Sequence, residues 1–413
     1  MSFFRTKMLA LSIVCAACAD ADGGSFTLGE LETLAPPVAE GSVWPVVSSA
    51  GNDIVLSWQE KDDGDSWFVK TATMTEAGWS SAHSVAQSKP DARFFVNWAD
   101  FASVRPVGDG VLSAHWLVRG PEGGYDYGVR VATSTNGGET WTEPWTPHED
   151  GTRTEHGFVS KFPLQDGGMG LVWLDGRNTA GGHGGGGDAR GAMTLHYRSV
   201  AANGVPGPEV LIDESICDCC QTDVAISSSG PVVVYRNRTN EEIRDIYVTR
   251  LVDGEWIPGV PVHDDDWLIP ACPVNGPAVA AADRNVAVAW FTAGQDDPRV
   301  QVAFSSDMGA TFGPPTRVDD GNALGRVDIV LLRDGSAVVE WMERGPEVAE
   351  IRVRRVSPDG GASSAAVVTT TSSGRDSGFP QMIQDQAGRI VFAWVQTGEP
   401  GQIRMARTQE TFE

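Results

Sequence analysis

The stretch "PAVAAADRNVAVAWFTAGQDDPRVQVAFSSDMGATF", residues 277–312, decides how this chain folds. It holds three short runs of small and β-branched residues, "PAVAAAD", "VAVAW" and "RVQVAFS", parted by Asp, Gly and Pro. Such runs between turn residues read as strands. The middle run ends at Trp290, and its kind recurs as "DIVLSW" (Trp58), "GVLSAHW" (Trp116), "GLVW" (Trp173), "PVVVY" (Tyr235), "AVVEW" (Trp341) and "IVFAW" (Trp394). Successive aromatics are 58, 57, 62, 55, 51 and 53 residues apart. A fixed period near 50 marks a repeat architecture, in which a unit buries its faces only against its neighbours. No stretch carries sustained helical periodicity.

Each unit reads as four strands, A to D, with the aromatic on strand B. The sequence predicts an all-β protein: a β-propeller of four-stranded blades spanning residues 26–413, with seven blades and six as the alternative. The seventh unit stops after its third strand. The segment "FTLGELETL" (26–34) would supply the missing outer strand, closing the ring and removing an exposed sheet edge. The 48 glycines and 14 tryptophans suit a turn-rich β fold with large core side chains.

Residues 1–18 read as an export signal: a short basic segment, then an apolar run too short to span a bilayer. "CAAC" resembles a lipoprotein processing site, which makes Cys18 the candidate lipidation site and residues 19–25 a polar tether. Cleavage without lipidation is the alternative. Both place the chain outside the cytoplasm, in the cell envelope or periplasm when anchored and otherwise secreted. The only membrane contact expected is a lipid anchor, and the chain is read as a monomer. The formal charge of −24 argues against a nucleic-acid partner, because backbone phosphates call for a basic surface. An anionic small molecule stays open if the site brings its own arginines.

Two hairpins carry a second signature. "STNGGETW" (134–141) and "SSDMGATF" (305–312) both fit Ser-x-Asp/Asn-x-Gly-x-Thr-aromatic. The Asp or Asn side chain can bond nearby backbone N–H groups while Gly takes the strained turn position. The pattern resembles the Asp-box, or bacterial neuraminidase repeat, of the sialidase superfamily. The resemblance implies a propeller and, as a candidate activity, exo-sialidase-type hydrolysis of a terminal acidic sugar. In that family an arginine triad, a Tyr–Glu nucleophile pair and an Asp acid/base do the work. This chain departs from it: the Arg-Ile-Pro motif is absent, and sialidases have six blades.

In a propeller the B–C loops and the loops leading into the next strand A share one face, the top. Sorting by this rule places most unusual residues there. Blade 3 gives Asp175, Arg177 and a glycine tract around His183. Blade 4 gives "YRNRTNEEIRD", with Arg236, Arg238, Glu241, Glu242, Arg244 and Asp245. The later inter-blade loops bring Arg326 and Asp328, then Arg375 and Asp376. The arginines Arg177, Arg236, Arg238, Arg244 and Arg326, with Asp245 and Asp328, are the candidate ligand-binding set, since guanidinium groups grip carboxylates bidentately. A ring of inter-blade ion pairs is the rival reading. Tyr235 with Glu241 or Glu242, and Asp175, are the catalytic candidates, although Tyr235 occupies a blade-core position. His156 could reach the cup.

"ESICDCCQTD" (214–223) crowds Cys217, Cys219 and Cys220 into four positions. Cys217 stands 18 residues before Tyr235, and Cys272 stands 18 before Trp290, so their loops should be neighbours. In an exported chain the first reading is a disulfide staple. A soft-metal thiolate site for copper(I) or zinc and a reactive thiol are the alternatives. No cofactor is required by the rest of the chain. Three functions remain open: a sialidase-type hydrolase, a non-catalytic propeller presenting its cup to a glycan, an anionic small molecule or an envelope protein, and a cysteine-centred metal or redox site.

Overall fold

A computed structural model describes residues 26–108, 110–179, 191–345 and 347–412. The segment read as an export signal, Cys18 and His183 lie outside the described residues. Seven antiparallel sheets follow one another along the chain, which makes seven blades. The B strands are Asp53–Lys61, Val111–Arg119, Met169–Asp175, Gly230–Arg236, Asn285–Thr292, Ala337–Arg344 and Ile390–Gln396. Each carries its predicted aromatic, and all seven aromatics are buried. Blade 2 has three strands, and its fourth position is held by a single bridge between Val131 and Trp145.

A blade core packed on both sides leaves an indole N–H with no water, so each needs a built acceptor. Trp58 donates to Glu60 (2.8 Å), Trp173 to Asp175 (2.9 Å) and Trp341 to Glu343 (2.8 Å), all two residues on along the same strand. Trp290 donates to Asp265 (2.7 Å). Tyr235, the one phenol in the series, donates to Asp213 (2.6 Å) on the neighbouring blade.

The ring closes as predicted. Leu31–Leu34 pairs with Gln402–Thr408 as the outer strand of blade 7, in register Leu31 to Thr408 and Leu34 to Met405. The strand itself is shorter than the predicted segment. Phe26 and Leu28 precede it and bury their side chains in the core between blades 6 and 7, where Phe26 meets Phe412.

The two signature hairpins share the same Ser and Asn/Asp bonds to the turn backbone. Ser134 and Ser305 each accept from a glycine N–H, Gly138 and Gly309, at 3.0 and 2.9 Å. Asn136 and Asp307 accept from the N–H of Thr140 and Thr311. Both glycines have positive φ (+90° and +78°) and touch the preceding blade, at Thr71 and Val232. A side chain there would be strained in backbone and crowded by that blade.

The A strands line a central channel enclosing about 420 Å³. Its upper end is formed by Ala99, Phe101, Phe158, Gln221, Gly276 and Phe379. Buried polar groups tie neighbouring A strands laterally: Asp223 accepts from Val279 N–H (2.8 Å) and Asp328 from Met382 N–H (2.7 Å).

Candidate functional site

The strand order places the B–C loops and the inter-blade loops on one face, and most of the site candidates lie there. Their contacts separate the arginines that are already engaged from those that are not. Arg236 is buried, and its guanidinium donates to the carbonyls of Arg244, Asn275 and Phe291 while stacking on Trp267. Arg326 donates to Ser377 Oγ (2.6 Å) and to the carbonyls of Gly378 and Gly374. Burial holds its guanidinium down to about 10. Arg177 grips Asp175 with two bonds of 2.8 Å and also pairs with Glu209. Arg238 and Arg244 both close on Glu242, and Arg238 reaches Asp218 as well. These five arginines tie loops and blades together.

Most of the remaining candidates are also committed. Asp245 caps the Asp266 and Trp267 N–H groups (3.0 and 3.1 Å). Asp328 lies inside the channel, where burial and nearby Asp223 push its carboxyl up to about 7. Tyr235 spends its hydroxyl on Asp213 and is not brought to Glu241 or Glu242. Glu241 is exposed at the loop tip.

Beside Asp175 lies a dense ionic wedge. His156 Nε2 is 2.9 Å from Asp150 and 3.5 Å from Asp175, and its ring stacks on His148 at 3.8 Å. Burial opposes a charge on His156, but the two carboxylates overcome it and raise its pKa to about 9. His148, buried beside that cation, is pushed down to about 3. His148, Asp150 and His156, and separately Asp175, His196 and Glu209, have spacings that suit a metal. Arg177 already supplies a cation to Asp175 and Glu209 and lies 3.7 Å from Asp150.

Two constellations went unnoticed in the sequence. The first is aromatic. Trp98, part-exposed in the loop before blade 2, stacks on Phe379 at 5.6 Å, and Phe101 meets Phe379 in a tilted contact at 6.2 Å. Gly378 (φ +62°) lets Trp44 lie against the same turn, since a Cβ there would come within 2.7 Å of the Trp44 ring. The guanidinium of exposed Arg375 sits 5.7 Å from the Trp98 ring, and Arg375 makes no ion pair among the described residues.

The second is a buried triad. Tyr127 Oη lies 2.9 Å from Asp100 Oδ2 and also contacts Glu155 Oε1. Phe95 stacks on the Tyr127 ring at 3.9 Å, and exposed Arg119 covers Phe95 at 4.7 Å. Burial pushes the Asp100 carboxyl up to about 8, against the pull of the Phe158 N–H. Burial and Glu155 also raise Tyr127. The available signal was positional: Tyr127 opens strand C of blade 2, while Asp100 and Glu155 each precede a strand A.

The cysteines meet as the 18-residue correspondence predicted. Cys217, Cys219 and Cys220 are buried, and part-exposed Cys272 packs against them. Cys217 Sγ is 3.0 Å from Cys220 Sγ and 4.0 Å from Cys219 Sγ. Arg244 Nη1 donates to Cys217 Sγ at 3.4 Å. Burial raises the Cys217 thiol, but bonds from its neighbours and the charges of Arg244 and Arg236 outweigh it and hold Cys217 well below the usual thiol range. Asp218, buried beside it, is pushed up to about 6.

With this geometry in place, comparison with known proteins gives the fold its relatives. No family model matches the chain. No curated protein matches it either. Solved structures do. The phage phi92 endosialidase aligns over 93% of this chain and 69% of its own, with TM-score 0.51 and 9% identity. The polysaccharide lyase Uly1 aligns over 87% and 88%, with TM-score 0.50 and 11% identity. The NanB sialidase of Streptococcus pneumoniae (K499G mutant) aligns over 86% and 83%, with TM-score 0.45 and 10% identity. The chain has a sialidase-like propeller fold. At these identities the likeness is one of fold.

Proposed function

We propose that this exported propeller recognises an acidic glycan at the top of its channel, with Trp98 as the stacking platform and Arg375 as the anion contact. The observation that carries the reading is a part-exposed indole held flat against Phe379 beside an arginine that has no carboxylate partner among the described residues. A sugar presents an apolar C–H face that an indole can cover, and a guanidinium meets a carboxylate in a bidentate pair. Trp98 is fixed by packing before any ligand arrives, so little side-chain freedom is lost on binding. Two proteins of similar fold are named as an endosialidase and a polysaccharide lyase, which agrees with a glycan ligand.

A second reading, hydrolysis of sialidase type, rests on the Tyr127–Glu155–Asp100 contacts, which unite the residue types of a Tyr–Glu nucleophile pair and an Asp acid. Tyr127 is only 2% exposed, so turnover would require Phe95 and its neighbours to open. Calorimetric titration with sialyllactose, an oligouronate and neutral lactose tests recognition. Binding of an acidic sugar that is lost in Trp98→Ala supports it, and no binding, or equal binding of lactose, refutes it. Release of free acidic sugar that stops in Tyr127→Phe would establish the second reading.

A further inference from the structure

We propose that Cys217, Cys219, Cys220 and Cys272 form a thiolate site for a single thiophilic d10 cation, zinc or copper(I). Three sulfur ligand atoms lie within 4.8 Å of one another, at 3.0 and 4.0 Å from Cys217 to its two loop neighbours. Cys272 completes the set from the adjacent blade, in contact with Cys219. Four thiolates on one zinc at about 2.3 Å stand about 3.8 Å apart, and the Cys217–Cys219 and Cys217–Cys220 separations bracket that spacing while Cys272 lies alongside. One central ion satisfies all four sulfurs together. Pairwise bonding would have to split them into two bridges, one of them inside a loop of four residues.

The loops are built to converge. A turn at Asp218 and Cys219 folds Cys217 and Cys220 toward each other. Cys217 N–H bonds the Arg236 carbonyl (2.9 Å), while Gln221 receives the Gly276 N–H (3.1 Å) and donates to the Ala99 carbonyl (2.7 Å). Arg236 holds Asn275, three residues after Cys272, by its carbonyl. The cluster is therefore pinned by blades 2, 4 and 5, on the top rim of the channel.

Its surroundings suit a soft, anionic centre. Ile216, Val233 and Phe379 belong to the same apolar cluster and exclude water, and partial exposure of Cys272 leaves a way in. Four thiolates on zinc carry a net charge of about −2, with copper(I) adding one more, so the site needs outer cations. Arg244 donates directly to Cys217, and Glu242 holds both Arg244 and Arg238 in place, with Arg238 braced by Asp218. The blade 4 arginines thus act here, around the cysteines, as an outer shell. All-sulfur donors select zinc or copper(I) over magnesium, calcium or manganese.

The test uses the full chain, purified under argon without chelator. Metal content is measured by mass spectrometry, and thiols are alkylated without reduction. About one equivalent of zinc or of copper per chain, with four thiols unlinked, supports the site and names the ion. Cobalt(II), added as a probe after acid extraction and neutralisation, should give the intense near-ultraviolet thiolate charge-transfer bands of a cysteine-bound ion. Cys272→Ser, at the part-exposed position, should keep the native circular dichroism and lose affinity for the ion by at least about tenfold, the lower bound for losing even an outer-shell partner. Cys219→Ser is the second variant should the first fail to fold. A peptide containing Cys272 linked to residues 217–220 by sulfur, or four free thiols that take up no zinc, copper or cobalt, overturns the proposal.

Discussion

Tyr127 Oη lies 2.9 Å from Asp100 Oδ2 and at the same time contacts Glu155 Oε1, with all three groups buried. A phenol carries one hydrogen and can donate to only one carboxylate. The second contact is favourable when that carboxyl is itself protonated and donates to the phenol oxygen. Asp100, raised to about 8, is the group that keeps its proton. Tyr127→Phe removes the oxygen that separates the two acids and leaves them buried without it. The expected loss is about 1–3 kcal/mol, measured by urea unfolding. Asp100→Asn preserves a donor and should lose less than Tyr127→Phe; the reverse order would mean that Asp100 is ionised.

The same proton sets a pH dependence. Asp100 has a folded pKa above its ordinary value, so between about pH 4 and 8 the folded state holds a proton that the unfolded chain has released. Stability therefore falls as pH rises through that window. Asp328 acts alike up to about 7. His156, raised to about 9, contributes stability that is complete below about 6.5 and is lost as pH rises through 9. All three slope the same way. The melting temperature should be several degrees higher at pH 5.5 than at 8.5, and Asp100→Asn should flatten the lower part of the slope. A flat profile in the parent chain would contradict these assignments.

Ring closure makes a contrasting pair of predictions. Leu34 is buried between blades 7 and 1, whereas Glu32, one register position from Thr33, pairs with Arg407 at the surface. Leu34→Asp places an unpaired charge in the core and should destabilise the chain by about 3 kcal/mol or more. Glu32→Ala breaks an exposed ion pair and should change stability by about 1 kcal/mol at most. Deleting residues 26–34 opens a sheet edge and also removes Phe26 and Leu28, so it should lower the melting temperature strongly or give aggregates. Equal effects of Leu34→Asp and Glu32→Ala would show that the strand does not close the ring in solution.

The fold was legible because the B strands are buried on both faces and repeat one aromatic, a signal a single sequence carries in full. Blade count, closure and the meeting of the two cysteine loops all followed from counting along that repeat. Individual arginine partners were not legible. Arg236 and Arg326 spend their donors on backbone carbonyls of Asn275, Phe291, Gly374 and Gly378, and a carbonyl has no sequence signature. Tyr127, Glu155 and Asp100 come from three separate loops, so their meeting depends on the radial position of each residue, which a repeat period does not encode. Trp98 stayed hidden because it lies off the repeating aromatic position.

Asp265 is the clearest single acceptor in the core. It takes the Trp290 indole N–H at 2.7 Å and the Gln301 amide at 2.9 Å, with Arg299 and His263 alongside. Asp265→Ala leaves two buried donors unpaired and should cost about 2–4 kcal/mol. Asp265→Asn retains one acceptor oxygen and should recover part of the loss. Thermal unfolding of the two variants decides; an undiminished Asp265→Ala would mean that water reaches Trp290.

Arg326 and Arg375 offer the sharpest separation of structure from recognition, because both guanidinium groups lie near Trp98, at 4.8 and 5.7 Å. Arg326 is buried and bonded to Ser377, Gly378 and Gly374, so Arg326→Ala strands those acceptors and should destabilise the fold by about 2–4 kcal/mol. Arg375 is exposed and makes no ion pair among the described residues, so Arg375→Ala should leave melting unchanged within about 0.5 kcal/mol. If Arg375 contacts the acid group of a glycan, its loss should weaken binding of acidic sugars by about 1.5–3 kcal/mol, roughly 10- to 150-fold. Arg375→Lys should recover only part of this, since an ammonium cannot reproduce the bidentate fork. Calorimetric titration of the folded variants reads both effects. Unchanged affinity in Arg375→Ala, with the fold intact, would move the anion contact away from Trp98 and toward exposed Arg119 over Phe95.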